Sequence, residues 1–118
     1  MKIVEKPWGR EIWIAHKNGL YVGKRLEINQ GAKFSLQKHN KKHETLFLDK
    51  GVAAITIGED FKVYLRADNY SYANRTFVIP PGTIHRVEAI TNVVLYEFST
   101  NHLDDVGLPR PCRQIAAT

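Results

Sequence analysis

The feature that most limits the fold of this chain is a succession of short runs in which apolar and polar residues alternate. Alternation with a period of two predicts β-strands, and the Gly, Asn, Asp and Pro residues between the runs predict turns. Many short strands at close spacing, with almost no helical pattern, predict an all-β sandwich or barrel. The predicted strands are Glu11–His16, Leu20–Asn29, Lys33–His39, Thr45–Leu48, Val52–Ile57, Lys62–Leu65, Thr76–Ile79, His85–Ala89 and Val93–Phe98.

The length of the chain, 118 residues, predicts a single domain over residues 1–118 that can bury a core without disulfides. One short helix is predicted at His102–Val106, where Thr100 or Asn101 can act as the N-cap. Residues 107–118 contain two prolines and are predicted to form an extended C-terminal tail.

The composition of the chain limits which binding partners and which cellular compartment are expected. Cys112 is the only cysteine, which excludes an intrachain disulfide and fits a reducing cytosol. The N-terminal residues contain no apolar run long enough for a signal peptide or a membrane span, so we expect a cytoplasmic protein without a membrane partner. The net charge of +5 favours an anionic partner, but the basic run Lys38–Lys42 lacks the interleaved aromatic residues of a nucleic-acid surface. A small anionic substrate is therefore expected, and nucleic acid is not.

Strand alternation assigns side chains to the inside or the outside of the barrel. Lys24 shares the more apolar face of its strand and is predicted to point inward, and Glu44 is predicted to point inward with the leucines of its strand. His85 is predicted to lie on the opposite face from Arg86. The apolar residues that set these faces are Val22, Leu26, Ile28, Leu46, Leu48 and Val87.

Four potential metal ligands fall at positions that a barrel can bring together. Gln37 and His39 are two residues apart, so they share a face if they lie on a strand, and Glu44 follows after a turn. His85 begins a later strand that a barrel can place beside this hairpin. Two imidazoles, one carboxylate and one amide oxygen suit a divalent Zn, Fe, Mn, Co or Ni ion. On spacing alone, a His and a Glu near a lysine-rich turn are more often solvated surface residues than metal ligands.

Two segments resemble the paired motifs of the cupin superfamily. The first runs from Gly31 to Gly51 and has the spacing of the first cupin motif, with Gln37 in place of its first histidine. The second runs from Pro80 through Gly82 to His85, and differs from the motif at Asn74 and Ala89, which are turn positions. The resemblance implies a single-domain cupin, a double-stranded β-helix or jelly-roll barrel. It also implies one divalent metal ion, zinc first, held by Gln37, His39, Glu44 and His85.

A narrower resemblance is to the cupin domain of type II mannose-6-phosphate isomerases, in which Gln also replaces the first histidine of the metal set. It covers about residues 5–106 and includes the segments Ser35–His39, Lys6–Gly9, Lys24–Arg25, Tyr96–Thr100 and Leu103–Val106. It implies a metal-dependent sugar-phosphate isomerase that forms a homodimer. The chain departs from the family at Thr45, where a second histidine is usual, and in the tail after Val106, where the usual acidic residues are replaced.

Three residues are candidates for catalysis under this resemblance. Glu44 is the carboxylate predicted to face the lumen, and Lys24 can donate a proton or bind phosphate, although it can equally extend out of the barrel mouth. Arg86 matches an arginine of the family that can clamp phosphate, but alternation places it away from the metal. Other metal-dependent cupin chemistry, as in a dioxygenase or a lyase, and a non-catalytic sugar-binding role are the alternatives.

Overall fold

A computed structural model describes residues 1–34 and 36–101, together with the backbone of residues 114–115. The described residues form β-strands and one short 3₁₀ turn, Tyr72–Arg75. The strands are β1 Lys2–Lys6, β2 Gly9–Lys17, β3 Tyr21–Ile28, β4 Lys33–Phe34, β5 Glu44–Lys50, β6 Val52–Ile57, β7 Phe61–Arg66, β8 Thr76–Ile79, β9 His85–Ala89, β10 Val93–Thr100 and β11 Gln114–Ile115. The predicted all-β architecture is therefore confirmed.

The strands form two antiparallel sheets whose inner faces enclose the core. One sheet has the order β1-β2-β3-β10-β5-β8, and the other has the order β11-β4-β9-β6-β7. Neighbouring strands in these sheets are often distant in sequence, so β10 lies between β3 and β5, and β9 lies between β4 and β6. This crossing pattern brings His85 at the start of β9 into the same region as the segment between β4 and β5.

The faces predicted from alternation are those observed. In β3, Val22, Leu26 and Ile28 are buried, and in β5 the side chains of Leu46 and Leu48 are buried together with Glu44. Apolar burial of this kind contributes most of the favourable free energy of folding, at about 25 cal/mol per Å². It also fixes the register, because a slip of one residue would turn the whole buried set toward solvent.

The predicted extent of one strand was wrong. Lys33–His39 was expected to be continuous, but β4 comprises only Lys33–Phe34, and Gln37 makes a single bridge to His85. The chain leaves the sheet after this bridge because the carbonyl oxygen of His39 accepts a hydrogen bond from the amide of Gly82, in the loop before β9.

The N-terminal region contributes more than the sequence indicated. Strand β1, which the alternation did not predict, pairs along its whole length with β2 at the edge of the larger sheet. Trp8, between these strands, is 1% exposed and packs edge-on against Phe34 with 5.0 Å between ring centroids. Trp8 therefore packs within the barrel. The predicted helix His102–Val106 lies outside the described residues, and no described helix is long and apolar enough to cross a membrane.

The turn between β5 and β6 gives a first testable prediction. Gly51 has φ +88°, and a Cβ atom there would lie 2.2 Å from the carbonyl oxygen of Asn92, so Gly51→Ala adds a backbone clash to left-handed strain. We expect this variant to lose about 3 kcal/mol of unfolding free energy in urea titrations. The control is Gly19→Ala, where φ is +79° and nothing lies within 4 Å, so only about 1 kcal/mol should be lost. Equal losses in the two variants would contradict the predicted clash.

Candidate metal centre

Three buried side chains that can bind a metal converge inside the barrel. They are His39 in the loop after β4, Glu44 at the start of β5 and His85 at the start of β9. Their potential ligand atoms all lie within 4.8 Å of one another. The sequence prediction that a barrel would gather these residues agrees with this geometry.

Backbone hydrogen bonds hold the two histidine-bearing segments against each other. The amide of Gln37 donates to the carbonyl oxygen of His85 at 2.8 Å, and the amide of His85 donates back to Gln37 at 2.9 Å. The amide of Gly82 donates to the carbonyl oxygen of His39 at 2.7 Å. These three bonds fix the distance between the loop that carries His39 and the strand that carries His85.

The spacing of the donor atoms fits a small divalent ion. Glu44 Oε2 lies 3.6 Å from His39 Nε2 and 3.4 Å from His85 Nε2. Ligands bonded to a tetrahedral ion at about 2.1 Å are separated by about 3.4 Å. Glu44 Oε2 is also fully buried with no hydrogen-bond partner among the described residues, which is costly unless a cation accompanies it.

Two further contacts lie at the edge of the cluster, one made by Gln37 and one made by the second ring nitrogen of His85. Gln37 Oε1 lies 3.1 Å from His39 Nε2, so the amide oxygen borders the same space as the three buried ligands. The Nδ1 atom of His85 lies 2.9 Å from the carbonyl oxygen of Thr83. When Nδ1 donates this bond, Nε2 is left unprotonated and directed at Glu44, as in many histidine ligands of metals. The residues present therefore fit a divalent cation, and the ligand chemistry leaves its identity open.

A buried lysine that the sequence analysis did not place in the lumen lies beside the cluster. Lys42 Nζ is 3.8 Å from Glu44 Oε1 and 3.2 Å from Glu97 Oε2. Burial opposes the charge of Lys42, but the two carboxylates outweigh that effect and raise its pKa above the usual value. Burial likewise opposes the charge of Glu44, but His85 and Lys42 outweigh it and lower the pKa of this carboxyl. Glu44 is therefore ionised and ready to bind a cation near neutral pH.

Glu97 is a second carboxylate inside the barrel. It is 8% exposed and lies on the inner face of β10, where Ser99 Oγ donates a hydrogen bond to its Oε2 at 3.1 Å. The expectation that Glu44 is the luminal carboxylate was therefore incomplete. The missed signal is alternation, because Glu97 and Ser99 share a face with Val93 and Leu95.

Lys24 points inward, as predicted, but it is already paired. Its side chain is 11% exposed, and its Nζ atom lies 3.3 Å from Glu11 Oε1 and 4.4 Å from the centroid of the Trp13 ring. Trp13 Nε1 donates a hydrogen bond to the same oxygen of Glu11 at 2.8 Å. Lys24 is thus held inside the barrel rather than extended out of its mouth.

Arg86 lies on the other face of β9 from His85, as alternation predicts. It borders a cavity of about 250 Å³ on the outside of the smaller sheet, together with Lys33, Thr56 and Lys62. His43 is exposed, whereas the adjacent residue Glu44 is buried in the metal cluster. The structure therefore brings Gln37, His39, Glu44 and His85 together and does not bring Arg86 to them.

Comparison with known proteins agrees with this architecture. The sequence profile of the family described as mannose-6-phosphate isomerase C-terminal matches residues 1–101. A mannose-1-phosphate guanylyltransferase of Salmonella muenchen is 34% identical over 85 residues, and mannose-1-phosphate guanylyltransferase RfbM of Salmonella typhimurium is 35% identical over 86 residues. Each match covers 72% of this chain, which spans only 16% of the length of either relative.

Solved structures show the same fold at low sequence identity. KdgF from a Halomonas species superposes with a TM-score of 0.71 at 16% identity, covering 85% of this chain and 86% of that one. The cupin domain of Cnp3 from Schizosaccharomyces pombe gives a TM-score of 0.70 at 14% identity, covering 88% of this chain and 72% of that one. The barrel predicted from the two sequence motifs is therefore a cupin fold.

Proposed function

Since this chain belongs to the mannose-6-phosphate isomerase C-terminal family, we propose that it is a metal-dependent aldose–ketose isomerase of a sugar phosphate such as mannose 6-phosphate. The observation that carries the proposal is the cluster of His39, Glu44 and His85, with the buried and otherwise unpartnered Oε2 of Glu44 at its centre. Such a centre, with Gln37 at its border, has the donors that a divalent ion needs, and its three ligands are buried.

The ion and the residues of the chain have different roles in this reaction. When bound, a divalent ion supplies positive charge that stabilises the oxygens at C1 and C2 as negative charge develops on them. The chain contributes the ligands and the cations Lys24 and Lys42, whose charges favour an anionic substrate. Arg86 lies outside the lumen, so a phosphate contact by Arg86 requires a substrate, or a second subunit, that reaches the outer face.

The remaining expectations about partners are part of this proposal. We propose a cytoplasmic homodimer that acts on a small anionic sugar and binds neither nucleic acid nor membrane. The edge position of β1, which pairs on one side only with β2 among the described strands, favours further pairing. Size-exclusion chromatography with light scattering would test the dimer.

The isomerase proposal is tested by following mannose 6-phosphate and fructose 6-phosphate by NMR. The protein is assayed as purified and after reconstitution with Zn, Fe, Mn, Co or Ni, with metal content measured on the same samples. We expect interconversion that requires bound metal. Full metal occupancy without interconversion would reject mannose 6-phosphate as the substrate, and failure to take up any metal would reject the centre itself.

A second candidate function follows from the size of the relatives. Both curated relatives are named for guanylyl transfer, and this chain matches only 16% of each, so it also fits a sugar-phosphate-binding domain without turnover. Saturable binding of mannose 6-phosphate with no interconversion would favour that role. Oxygen-dependent chemistry would instead require a redox-active ion, which the same metal analysis identifies.

A further inference from the structure

The isomerase proposal leaves the base that moves the proton unassigned, and the interior of the barrel offers few candidates. Aldose–ketose isomerisation moves one proton between C2 and C1, so a carboxylate close to the metal centre is the natural acceptor. Among the described residues, the carboxylates of Glu11, Glu44 and Glu97 lie in the barrel interior with side chains no more than 15% exposed.

Two of these three carboxylates are less suited to this role than the third. Glu44 Oε2 faces His39 and His85 as a metal ligand, and a carboxylate that binds an ion is a poor proton acceptor. Glu11 is held on β2 by the Trp13 indole and by Lys24 through one oxygen atom. Neither Trp13 nor Lys24 contacts a residue of the metal cluster in the hydrogen bonds and ion pairs of the described residues, whereas Lys42, the partner of Glu97, also lies beside Glu44.

Glu97 has a different position. Its Oε2 atom is 3.2 Å from Lys42 Nζ, and Lys42 is in turn 3.8 Å from Glu44 Oε1, so Glu97 is linked to the metal cluster by one cation without belonging to it. The register of the sheet supports this placement, because β10 pairs with β5 and sets Ser99 directly opposite Glu44. Glu97 and Ser99 are on the same inner face, two residues apart.

We propose that Glu97 is the proton-transfer base of this lumen, and that Lys42 is the positioning residue that holds it beside the metal centre. The inference rests on the proposed isomerase function and goes beyond it by naming the base. For this role, a sugar whose C1 and C2 oxygens meet the metal cluster must present its C2–H bond to the inner face of β10, where Glu97 lies. Ser99 orients the carboxylate through the hydrogen bond that its Oγ donates to Glu97 Oε2.

The step assigned to Glu97 moves one proton from C2 to C1 of the sugar. The carboxylate takes the proton from C2 of the aldose, and the electron pair of the broken C–H bond forms the C1–C2 double bond of an enediolate. The negative charge passes to the oxygen at C1. Glu97 then returns the proton to C1, while the hydroxyl proton at O2 moves to O1 and C2 becomes the ketone carbonyl.

The test is Glu97→Gln in the metal-reconstituted full chain. We expect the kcat for interconversion of mannose 6-phosphate and fructose 6-phosphate to fall by about 10²–10⁴-fold. KM and metal content should stay within about twofold, and solvent deuterium should no longer enter C1 or C2 of the sugar in D₂O. Glu59→Gln, at an exposed turn between β6 and β7, is the matched control and should exchange and turn over as the parent does.

The outcomes separate this inference from the function on which it rests. If the parent protein interconverts sugar phosphates and Glu97→Gln keeps both turnover and deuterium exchange, Glu97 is not the base, although the isomerase function stands. A parent with full metal and no turnover overturns both. If Glu97→Gln proves unstable, Glu97→Asp keeps the charge but withdraws the carboxylate by one methylene. It should lower kcat with KM unchanged, whereas a purely structural role would leave the kcat of the folded fraction at the parental value.

Discussion

Replacing His85 with alanine should abolish stoichiometric metal binding at micromolar concentrations of the free ion. His85 Nε2 lies 3.4 Å from Glu44 Oε2, and its Nδ1 lies 2.9 Å from the carbonyl oxygen of Thr83, so the ring is oriented before any ion arrives. Loss of a residue that only supports a ligand costs about 10–100-fold in metal affinity, and loss of a ligand itself should cost more than about 100-fold. Competition with a fluorescent chelator measures this change directly.

The matched control is His43→Ala. His43 directly precedes Glu44 in sequence, but its side chain is exposed whereas that of Glu44 is buried, so the affinity for metal should not change. Thermal unfolding with and without a chelator gives a second readout, because a ligand at 100 times its Kd stabilises the folded state by about 2.7 kcal/mol. His85→Ala should lose this metal-dependent increase in Tm, and His43→Ala should keep it. Equal affinities in the two variants would contradict the proposed centre.

The inward positions of Glu44 and His85 could be predicted because each of these residues lies where a strong local pattern meets a buried face. Glu44 is two residues before Leu46, and His85 is two residues before Val87, and both apolar residues are buried in the barrel. Since side chains alternate strictly along a strand, the burial of the apolar partner carries the polar one inward. This reasoning does not require any knowledge of which strands are neighbours.

The path of the chain between β4 and β5 could not be predicted in the same way. His39 lies beyond the end of β4, and a long-range hydrogen bond from the Gly82 amide to its carbonyl oxygen sets its position. Alternation predicts faces only while a strand continues, and the break depends on a loop more than 40 residues away in sequence. The expected strand was therefore too long, although the prediction that Gln37 and His39 lie together agrees with their 3.1 Å separation.

Lys42 shows a second limit of sequence reasoning. A lysine in a polar, lysine-rich turn is normally solvated, so its position next to exposed Lys41 and His43 indicated nothing unusual. It is buried because Glu97, which lies on β10 and more than 50 residues further along the sequence, pairs with it inside the barrel. Pairing between distant strands, rather than local pattern, creates this part of the site.

The second large effect is expected for Lys42→Met, a change that keeps most of the side-chain volume and removes the charge. Two buried carboxylates, Glu97 at 3.2 Å and Glu44 at 3.8 Å, would then lose their common cation. Breaking a buried ion pair by removing one partner typically costs 3–5 kcal/mol, since an uncompensated charge remains, so we expect a loss of about 3 kcal/mol in the unfolding free energy of the metal-free protein. Urea titration monitored by tryptophan fluorescence measures it.

Two further variants show whether the loss comes from the uncompensated charge. Lys50→Met, at the exposed end of β5, should change the unfolding free energy by less than about 0.5 kcal/mol. The double variant Lys42→Met, Glu97→Gln should be more stable than the sum of its single changes by at least about 1 kcal/mol, because the second change removes the charge left without its partner. A bound divalent ion should also restore part of the stability of Lys42→Met, since it neutralises Glu44. Strict additivity, with no restoration by metal, would mean that Lys42 stabilises the barrel through its packing rather than by balancing charge beside the metal centre.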